Sequence, residues 1–509
     1  MTTHLRHPLT LLILLIYLIS GVMYAYLTPN WQAPDEPAHY NYIQYLAHNL
    51  TFPELTADCY DQAYLNQLTS ERFPSELTID PICYEYHQPP SYYMLAMPLF
   101  WLSSGSLLVI RLLSVFIGAG TLYLALRIAQ MIYSDQPTIT YGTMAFVAFV
   151  PMHGSILASV NNDSLAGLLF AALLYRLIRQ LTYIDKAIDD ESPLLKQDLG
   201  MAVLLGLGLL TKMTVYIAIP IVGITVWLST SRQRWKLVLI RLGIIYGIAM
   251  LIVLPWYLRN LNLYGNFDIF GLQRHDQIVE GQLRTSDYIQ QIGGANYVNN
   301  AMLTTFHSFW GQFGWMAVPM DGRVYWALTI LMVIALTGLI SLAIDKKRKQ
   351  SDLADLKPVN WEALSLMAVV IGLVLSAYGW YNLQFVQFQG RYLFTSMIPF
   401  GLFFSLGLTS GFRKTWPSII SLSMLLGYLL LNTWFTGHVD KWAFLLTGLP
   451  LLILITQSAI SRYVVSRYAV SHSHYRNISE WWLVGACYIG LAMLTLLAPT
   501  WFIVSNLGS

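Results

Sequence analysis

Long apolar runs recur along nearly the whole chain, and they constrain its fold more than any other feature. Of its residues, 56% are hydrophobic and 11% are charged, whereas a soluble protein has about 25% charged residues. A membrane-spanning helix needs roughly 20 apolar residues. We therefore predict an all-α polytopic membrane protein with thirteen crossings, at 8–27, 107–132, 138–158, 161–182, 198–211, 213–230, 236–256, 324–344, 361–380, 392–410, 416–435, 442–460 and 481–503.

Basic residues in the short breaks between these runs predict the orientation. They cluster at Arg176 to Lys186, at Arg232 to Lys236, most strongly at Lys346 to Lys349, and at Arg413-Lys414. Cytoplasmic loops are enriched in Lys and Arg, so we expect a cytoplasmic N-terminus and an outer C-terminus, in a bacterial plasma membrane. The net charge of +2 arises from these clusters and does not indicate a nucleic-acid partner.

Two segments on the outer face, 28–88 and 259–323, are too long to be simple connectors, which suggests a function for them. The apolar segment 89–103 is short for a crossing, and we expect a re-entrant or interfacial helix there. We divide the chain into a catalytic membrane module, 1–410, and C-terminal transmembrane helices, 411–509. The first apolar run lacks a small-residue cleavage site, so we expect it to stay attached.

The chain has three cysteines and no zinc-type spacing. Cys59 and Cys83 lie in the first long loop, and Cys487 lies in the last apolar run. A disulfide between Cys59 and Cys83 is expected only if this loop faces an oxidising compartment and the geometry permits it.

Two adjacent carboxylates, Asp35 and Glu36, lie between Pro34 and Pro37 directly after the first apolar run. Pro37 suits the first turn of a helix, so both carboxylates are expected at a helix N-terminus, where backbone amides favour negative charge. The simplest interpretation of such a pair is an acidic helix cap.

Further polar and aromatic residues fall at the same face of the predicted bundle. Each has a simple alternative: a cap, a snorkelling cation, a lipid headgroup contact or an interfacial aromatic belt. As candidates for substrate binding or catalysis we take His39, His87, Asp163, Lys212, Arg259, Tyr264 and Arg391.

Carboxylates and cations at one membrane face suit a phosphate-linked substrate. A carboxylate can accept the proton of an attacking hydroxyl, and cations can neutralise a departing phosphate. This chemistry indicates sugar transfer from a polyprenyl-phosphate-linked donor, with Asp35 as general base and inversion at the anomeric carbon. A retaining route requires a second carboxylate as nucleophile, for which Glu36 or Asp163 are the available residues.

The ordered motifs resemble those of the GT-C superfamily of membrane glycosyltransferases, in its family 39-like branch of protein O-mannosyltransferases and aminoarabinose transferases. An uncharacterised group of bacterial membrane proteins with a DEPxH motif is closer still. The motifs are Pro34-Asp35-Glu36-Pro37-Ala38-His39, His87-Gln88-Pro89-Pro90, Asn162-Asp163, Phe309-Trp310-Gly311-Gln312-Phe313-Gly314-Trp315 and Gln389-Gly390-Arg391-Tyr392.

The resemblance implies a GT-C fold, transfer outside the cytoplasm and Asp35 as the catalytic carboxylate. It implies Glu36 and Asp163 as further acidic site residues. It also makes Lys212, Arg259 and Arg391 candidates for the donor phosphate. The aminoarabinose transferases have a basic residue before the proline that closes the first loop, whereas this chain has His87-Gln88, so the role of His87 stays open.

Asp35, Glu36 and Asp163 offer the oxygen ligands that a hard divalent cation prefers, so a metal is one alternative. The family 39-like branch works without a metal, while related oligosaccharyltransferases need one, and we favour a site with no metal or other cofactor. Two other functions share these features: a transporter or flippase of lipid-linked sugars, and a polymerase or ligase of lipid-linked glycans. No internal repeat of the kind common in transporters is visible. The sequence does not specify the sugar, the lipid carrier or the acceptor, which is a protein, a lipid or a glycan.

Overall fold

The computed structural model describes residues 7–183, 192–230, 234–348, 356, 358–468 and 472–508. Within these residues, ten helices are long and apolar enough to cross a membrane, which confirms the predicted all-α polytopic architecture. Their apolar portions are Pro8–Leu27, Leu107–Ile132, Asp163–Thr182, Trp235–Tyr264, Gly322–Ile344, Trp361–Asn382, Gly390–Arg413, Thr415–Thr436, Lys441–Ile460 and Glu480–Leu507.

Three of the thirteen predicted crossings are not among these ten helices. The run 138–158 is divided into the helices Pro137–Phe149 and Pro151–Leu157, because a proline interrupts the backbone hydrogen bonds of a helix. The runs 198–211 and 213–230 form the helices Ser192–Leu209 and Ala218–Ser229, the latter preceded by a 3-10 turn. The count of thirteen crossings therefore stays a prediction.

The segment 89–103 forms the helix Ser91–Leu102, and its re-entrant or interfacial position stays a prediction. Its 12 residues extend about 18 Å, against a hydrocarbon thickness of about 30 Å. It packs on the helix Glu36–Asn49, where the rings of Tyr42 and Tyr93 stack with centroids 3.7 Å apart. This aromatic contact joins the acidic stretch to the end of the first long loop.

The two long loops contain most of the remaining elements and contact each other. Cys59 and Cys83 form a disulfide with their Cα atoms 4.5 Å apart, the pairing considered from the sequence. The other elements are the helices Gln62–Ser70, Leu272–Ile278, Thr285–Ile292 and Gly294–Trp310, the 3-10 turns Ala57–Cys59 and Tyr84–His87, and a hairpin of strands Gln312–Phe313 and Val318–Pro319.

The helix Met397–Arg413 lies at the centre of the bundle. A Cβ atom on Gly407 would lie 2.3 Å from the carbonyl oxygen of Ala335, so this helix meets the helix Gly322–Arg348 backbone to backbone. Its neighbours include the helix His472–Ala498, through a 2.6 Å contact between the hydroxyls of Ser405 and Tyr488. The division at residue 410 stays a prediction, as does the orientation.

The remaining spans include the helices Trp361–Asn382 and Thr415–Thr436, which contact the central helix. The helix Lys441–Tyr468 packs on Thr415–Thr436 and on Gly322–Arg348. Of the basic residues that predict the orientation, Lys186, Arg232 and Lys349 lie outside the described residues.

Candidate active site

Asp35 lies in a left-handed backbone conformation, with φ of 65°, immediately before the helix Glu36–Asn49. This conformation is uncommon for residues other than glycine and often occurs at functional sites. The carboxylate makes no capping hydrogen bond to the helix. Instead its Oδ1 accepts a hydrogen bond from the Tyr84 hydroxyl at 2.7 Å, and its Oδ2 accepts one from Arg391 at 2.5 Å. The interpretation of Asp35 as a mere helix cap does not fit this geometry.

Arg391 is held in place by the backbone packing of two predicted motifs. Its Nε donates to Oε1 of Gln389 at 2.7 Å. The N–H of Gly390 donates to Ser308 at 2.7 Å, and a Cβ atom on Gly390 would lie 2.3 Å from the backbone nitrogen of Phe309. Only glycine allows this approach, so the motif that contains Phe309 positions the motif that contains Arg391.

A second ion pair joins Asp163 and Lys212 at 2.7 Å. Their side chains are 28% and 16% exposed, so both are accessible from the same space. The turn before Asp163 is fixed by Asn162, whose amide donates to Gln88 at 3.2 Å and to the carbonyl of Thr211 at 3.1 Å. The end of the first loop and the break beside Lys212 therefore meet at Asp163.

His39 is buried between the two ion pairs and lies 2.8 Å from the Tyr93 hydroxyl through Nδ1. Burial lowers the pKa of His39, and the attraction of Glu85 and Asp35 opposes this shift without cancelling it. The ring is therefore neutral at neutral pH. It serves as a hydrogen-bonding group of the site and adds no positive charge.

The pKa of Asp35 depends on two opposing effects. Burial raises this pKa, but the charge of Arg391 and the hydrogen bond from Tyr84 lower it more, to about 2. Asp35 is therefore an anion over the whole physiological pH range.

Glu36 lies on the other side of the helix start, fully buried. Arg111 donates to both of its carboxylate oxygens, at 2.8 and 2.6 Å, and also donates to the carbonyls of Ala25, Thr28 and Pro29 at the end of the first span. This arrangement suits a structural role for Glu36 rather than the predicted role of a supporting acid. The predictions missed Arg111, although a single arginine inside an apolar run is a signal of function or pairing.

Three other predicted site residues join the long loops. His87 is buried, lies 3.0 Å from the carbonyl oxygen of Tyr84 through Nδ1 and contacts the ring of His275 with centroids 4.6 Å apart. Arg259 donates to the carbonyls of residues 52 and 53, and the Tyr264 hydroxyl accepts the N–H of residue 55 at 3.2 Å. The contacts of Arg259 and Tyr264 therefore lie with the first loop and not with Asp35.

An apolar cleft begins beside Asp163 and extends along the helix Asp163–Tyr183. The cleft-facing positions of this helix recur every three or four residues, which places them on one helical face. The cleft is lined by Thr121, His153, Ile156, Leu157, Asp163, Ala166, Gly167, Phe170, Ala171, Leu174, Thr214, Val215, Phe394, Thr395, Met397 and Ile398.

The site also contains residues that the sequence analysis did not select. Tyr84 and Gln389 bond directly to Asp35 and Arg391, and Glu85 follows Tyr84. The only sequence signal for them was position, since Gln389 begins the motif that contains Arg391, and Tyr84 and Glu85 lie just before the motif that begins at His87. Among the described residues, no group of three or more His, Cys, Asp or Glu has a geometry that holds a metal. Independence from metals stays a prediction.

Comparison with known proteins gives one family and several similar structures. The family model described as Predicted membrane protein (DUF2142) matches residues 89–399, a stretch that includes Asp163, Lys212 and Arg391 but not Asp35. No curated protein matches the chain.

The similar solved structures include ArnT from Cupriavidus metallidurans bound to undecaprenyl phosphate, with 12% identity and a TM-score of 0.47, covering 98% of this chain and 78% of ArnT. ArnT from the same organism in the apo state is 13% identical with a TM-score of 0.49, covering 96% of this chain and 76% of ArnT. They also include the oligosaccharyltransferase AglB from Archaeoglobus fulgidus in complex with an inhibitory peptide and a dolichol-phosphate, with 13% identity and a TM-score of 0.42, covering 97% of this chain and 56% of AglB.

Proposed function

This chain belongs to the family of predicted membrane proteins DUF2142, and we propose that it is a glycosyltransferase with a lipid-phosphate-linked sugar donor. The observation that carries the proposal is the direction of the Asp35 carboxylate. It turns away from the helix that it precedes and meets Tyr84 and Arg391 beside a second ion pair. A carboxylate placed next to cations suits the transfer of a group from a phosphate.

Lys212 is the cation best suited to bind the donor phosphate. Its flexible side chain is partly exposed and pairs with Asp163, which lines the apolar cleft. Arg391 is less free, because Asp35 and Gln389 already fix its guanidinium group. The cleft beside Asp163 then accepts the first isoprene units of the donor, since its lining is largely apolar.

The proposed reaction is a direct displacement at the anomeric carbon. The acceptor hydroxyl forms a bond to this carbon, and its proton passes to Asp35. The bond between the carbon and the phosphate oxygen breaks, and the phosphate leaves with the electron pair. Lys212 stabilises the negative charge that grows on the phosphate. One displacement inverts the anomeric configuration.

The low pKa of Asp35 has a consequence for the timing of this step. A carboxylate with a pKa of about 2 is a weak base towards a free hydroxyl. The acceptor hydroxyl becomes more acidic as its bond to the sugar forms, so the proton moves late in the step. After each turnover Asp35 passes this proton readily to water, because its pKa lies far below physiological pH.

The proposal includes the membrane orientation predicted from the basic loops, with the site on the outer face of a bacterial plasma membrane. It leaves the acceptor open among proteins, lipids and glycans. The pattern of charges also suits a carrier of lipid-linked sugars or a glycan polymerase.

The test is sugar transfer from radiolabelled polyprenyl-phosphate sugars in membranes that contain the wild type, Asp35→Asn or the exposed control Asp58→Asn. Asp35→Asn keeps the shape of the side chain and removes the base, so transfer should fall at least about a hundredfold while donor binding survives. Asp58→Asn should transfer at the wild-type rate. Full transfer by Asp35→Asn contradicts the proposed base. Movement of donor across the membrane without new glycosidic bonds identifies a carrier.

A further inference from the structure

Glu85 brings a third carboxylate to the candidate site, in the 3-10 turn Tyr84–His87. The other two carboxylates each have a cation: Asp35 pairs with Arg391, and Asp163 pairs with Lys212. Glu85 as a whole is partly exposed, and its Oε2 is buried without a hydrogen-bond partner in the part of the chain that the structure describes. Its side chain therefore lacks the pairing that its neighbours have.

Glu85 lies close to the buried pair of His39 and Tyr93. It interacts electrostatically with His39 and with Tyr93, the residue hydrogen-bonded to His39. Lys212 and Asp163 act on the same imidazole. Glu85 therefore lies near His39 and Tyr93, in the turn whose Tyr84 hydroxyl donates to Asp35 at 2.7 Å.

Charge and desolvation both favour a partner from outside the chain. Three carboxylates and two cations leave a net charge of −1 around the neutral His39. A buried carboxylate oxygen without a hydrogen bond is costly, and a donor group that reaches it is strongly favoured. A second negative charge at this point is repelled in a medium of low dielectric constant.

We propose that Glu85 selects the sugar of the donor. It accepts hydrogen bonds from hydroxyl or amino substituents of the sugar ring and excludes sugars that carry a carboxylate. This inference rests on the proposed function, because the sugar reaches Glu85 only if its phosphate binds at Lys212.

The test compares the binding of two donors, polyprenyl-phosphate glucose and polyprenyl-phosphate glucuronic acid. Binding is measured at equilibrium in the Asp35→Asn background, so that turnover does not consume the donors. Glu85→Gln keeps the size of the side chain and removes its charge, and Glu76→Gln is the matched control, since Glu76 is exposed in the same loop.

Without the Glu85 substitution, the glucose donor should bind at least about tenfold more tightly than the glucuronic acid donor. Glu85→Gln should lower this ratio about tenfold, while Glu76→Gln leaves it unchanged. An unchanged ratio in Glu85→Gln overturns the inference, and so does equal binding of the two donors before the substitution. Failure of both donors to bind overturns it too.

Failure of the proposed function has a different signature. It appears in the wild type as movement of the donor across the membrane without new glycosidic bonds, a measurement that needs no change at Glu85.

Discussion

Asp35 and Glu36 are adjacent carboxylates with opposite surroundings. Asp35 faces a space that contains Tyr84, Arg391 and the second ion pair, and 23% of its side chain is exposed. Glu36 is fully buried and holds Arg111, which in turn binds the end of the first span. The carboxylate of Asp35 is available for the proposed reaction, and that of Glu36 stabilises the backbone next to Asp35.

The role of each carboxylate therefore depends more on the direction of its side chain than on its charge. The backbone of Asp35 has a left-handed conformation, and Glu36 is the first residue of a helix, so their side chains leave the backbone in different directions. The same contrast separates Lys212, which pairs with Asp163, from Arg259, which donates to carbonyls of the first loop.

The largest expected effect separates Asp35 from Glu36 by stability. Glu36→Gln leaves the buried Arg111 without a counter-charge and should lower the free energy of unfolding by about 3–5 kcal/mol. Asp35→Asn should lower it by about 1–2 kcal/mol, because its site is partly solvated and Asn tolerates the left-handed conformation. Thermal unfolding of the purified variants measures both.

A double variant sharpens this first comparison. Glu36→Gln with Arg111→Met removes both charges, so part of the lost stability should return. Equal destabilisation by Asp35→Asn and Glu36→Gln contradicts the division of roles between the two carboxylates.

The next effect separates Lys212 from Arg259 by donor affinity. Lys212→Met removes a charged partner of the donor phosphate and should weaken donor binding about 10- to 100-fold. Arg259→Met loosens the first loop and should change donor binding by no more than about threefold, since its contacts are with loop carbonyls. Titration of a polyprenyl-phosphate sugar into each purified variant measures the affinity. A larger loss in Arg259→Met places the phosphate elsewhere.

The smallest effect concerns the junction of the two long loops. Burial and the neighbouring His275 lower the pKa of His87 to about 3, against about 6.5 in an unfolded chain. Between these values the unfolded chain binds the additional proton, so His87 destabilises the fold as pH falls below about 6.5, by at most about 1.4 kcal/mol per pH unit. His87→Gln should flatten the loss of thermal stability between pH 7 and pH 5.

His48→Gln is the control for this pH dependence, because His48 is exposed on the helix Glu36–Asn49. Its profile should match that of the wild type. Because His39 is also buried with a lowered pKa, part of the slope should remain in His87→Gln. An identical slope in all three proteins rules out the buried His87 as a source of acid sensitivity.

Much of the site was accessible from the sequence, because the apolar runs sort polar residues by membrane face. This sorting placed Asp35, Asp163, Lys212 and Arg391 together, and the structure joins them in two ion pairs. The same reasoning placed Arg259 and Tyr264 in the site, although their polar atoms bind the first loop. The membrane face of a residue gives its position along the membrane normal. It does not give the residues that contact it at that level.

The sequence by itself determined that this chain is a bundle of apolar helices with two long loops at one end, since only helices of that length satisfy their backbone hydrogen bonds in a bilayer. The ion pairs of the site depend on the tertiary structure, because the sequence does not indicate which carboxylate pairs with which cation. The partners of Asp35, Glu36 and Asp163 lie far away in sequence, and packing constraints such as the contact between Gly390 and Phe309 aim them. Pairing across such distances depends on how helices pack, and the local sequence does not encode it.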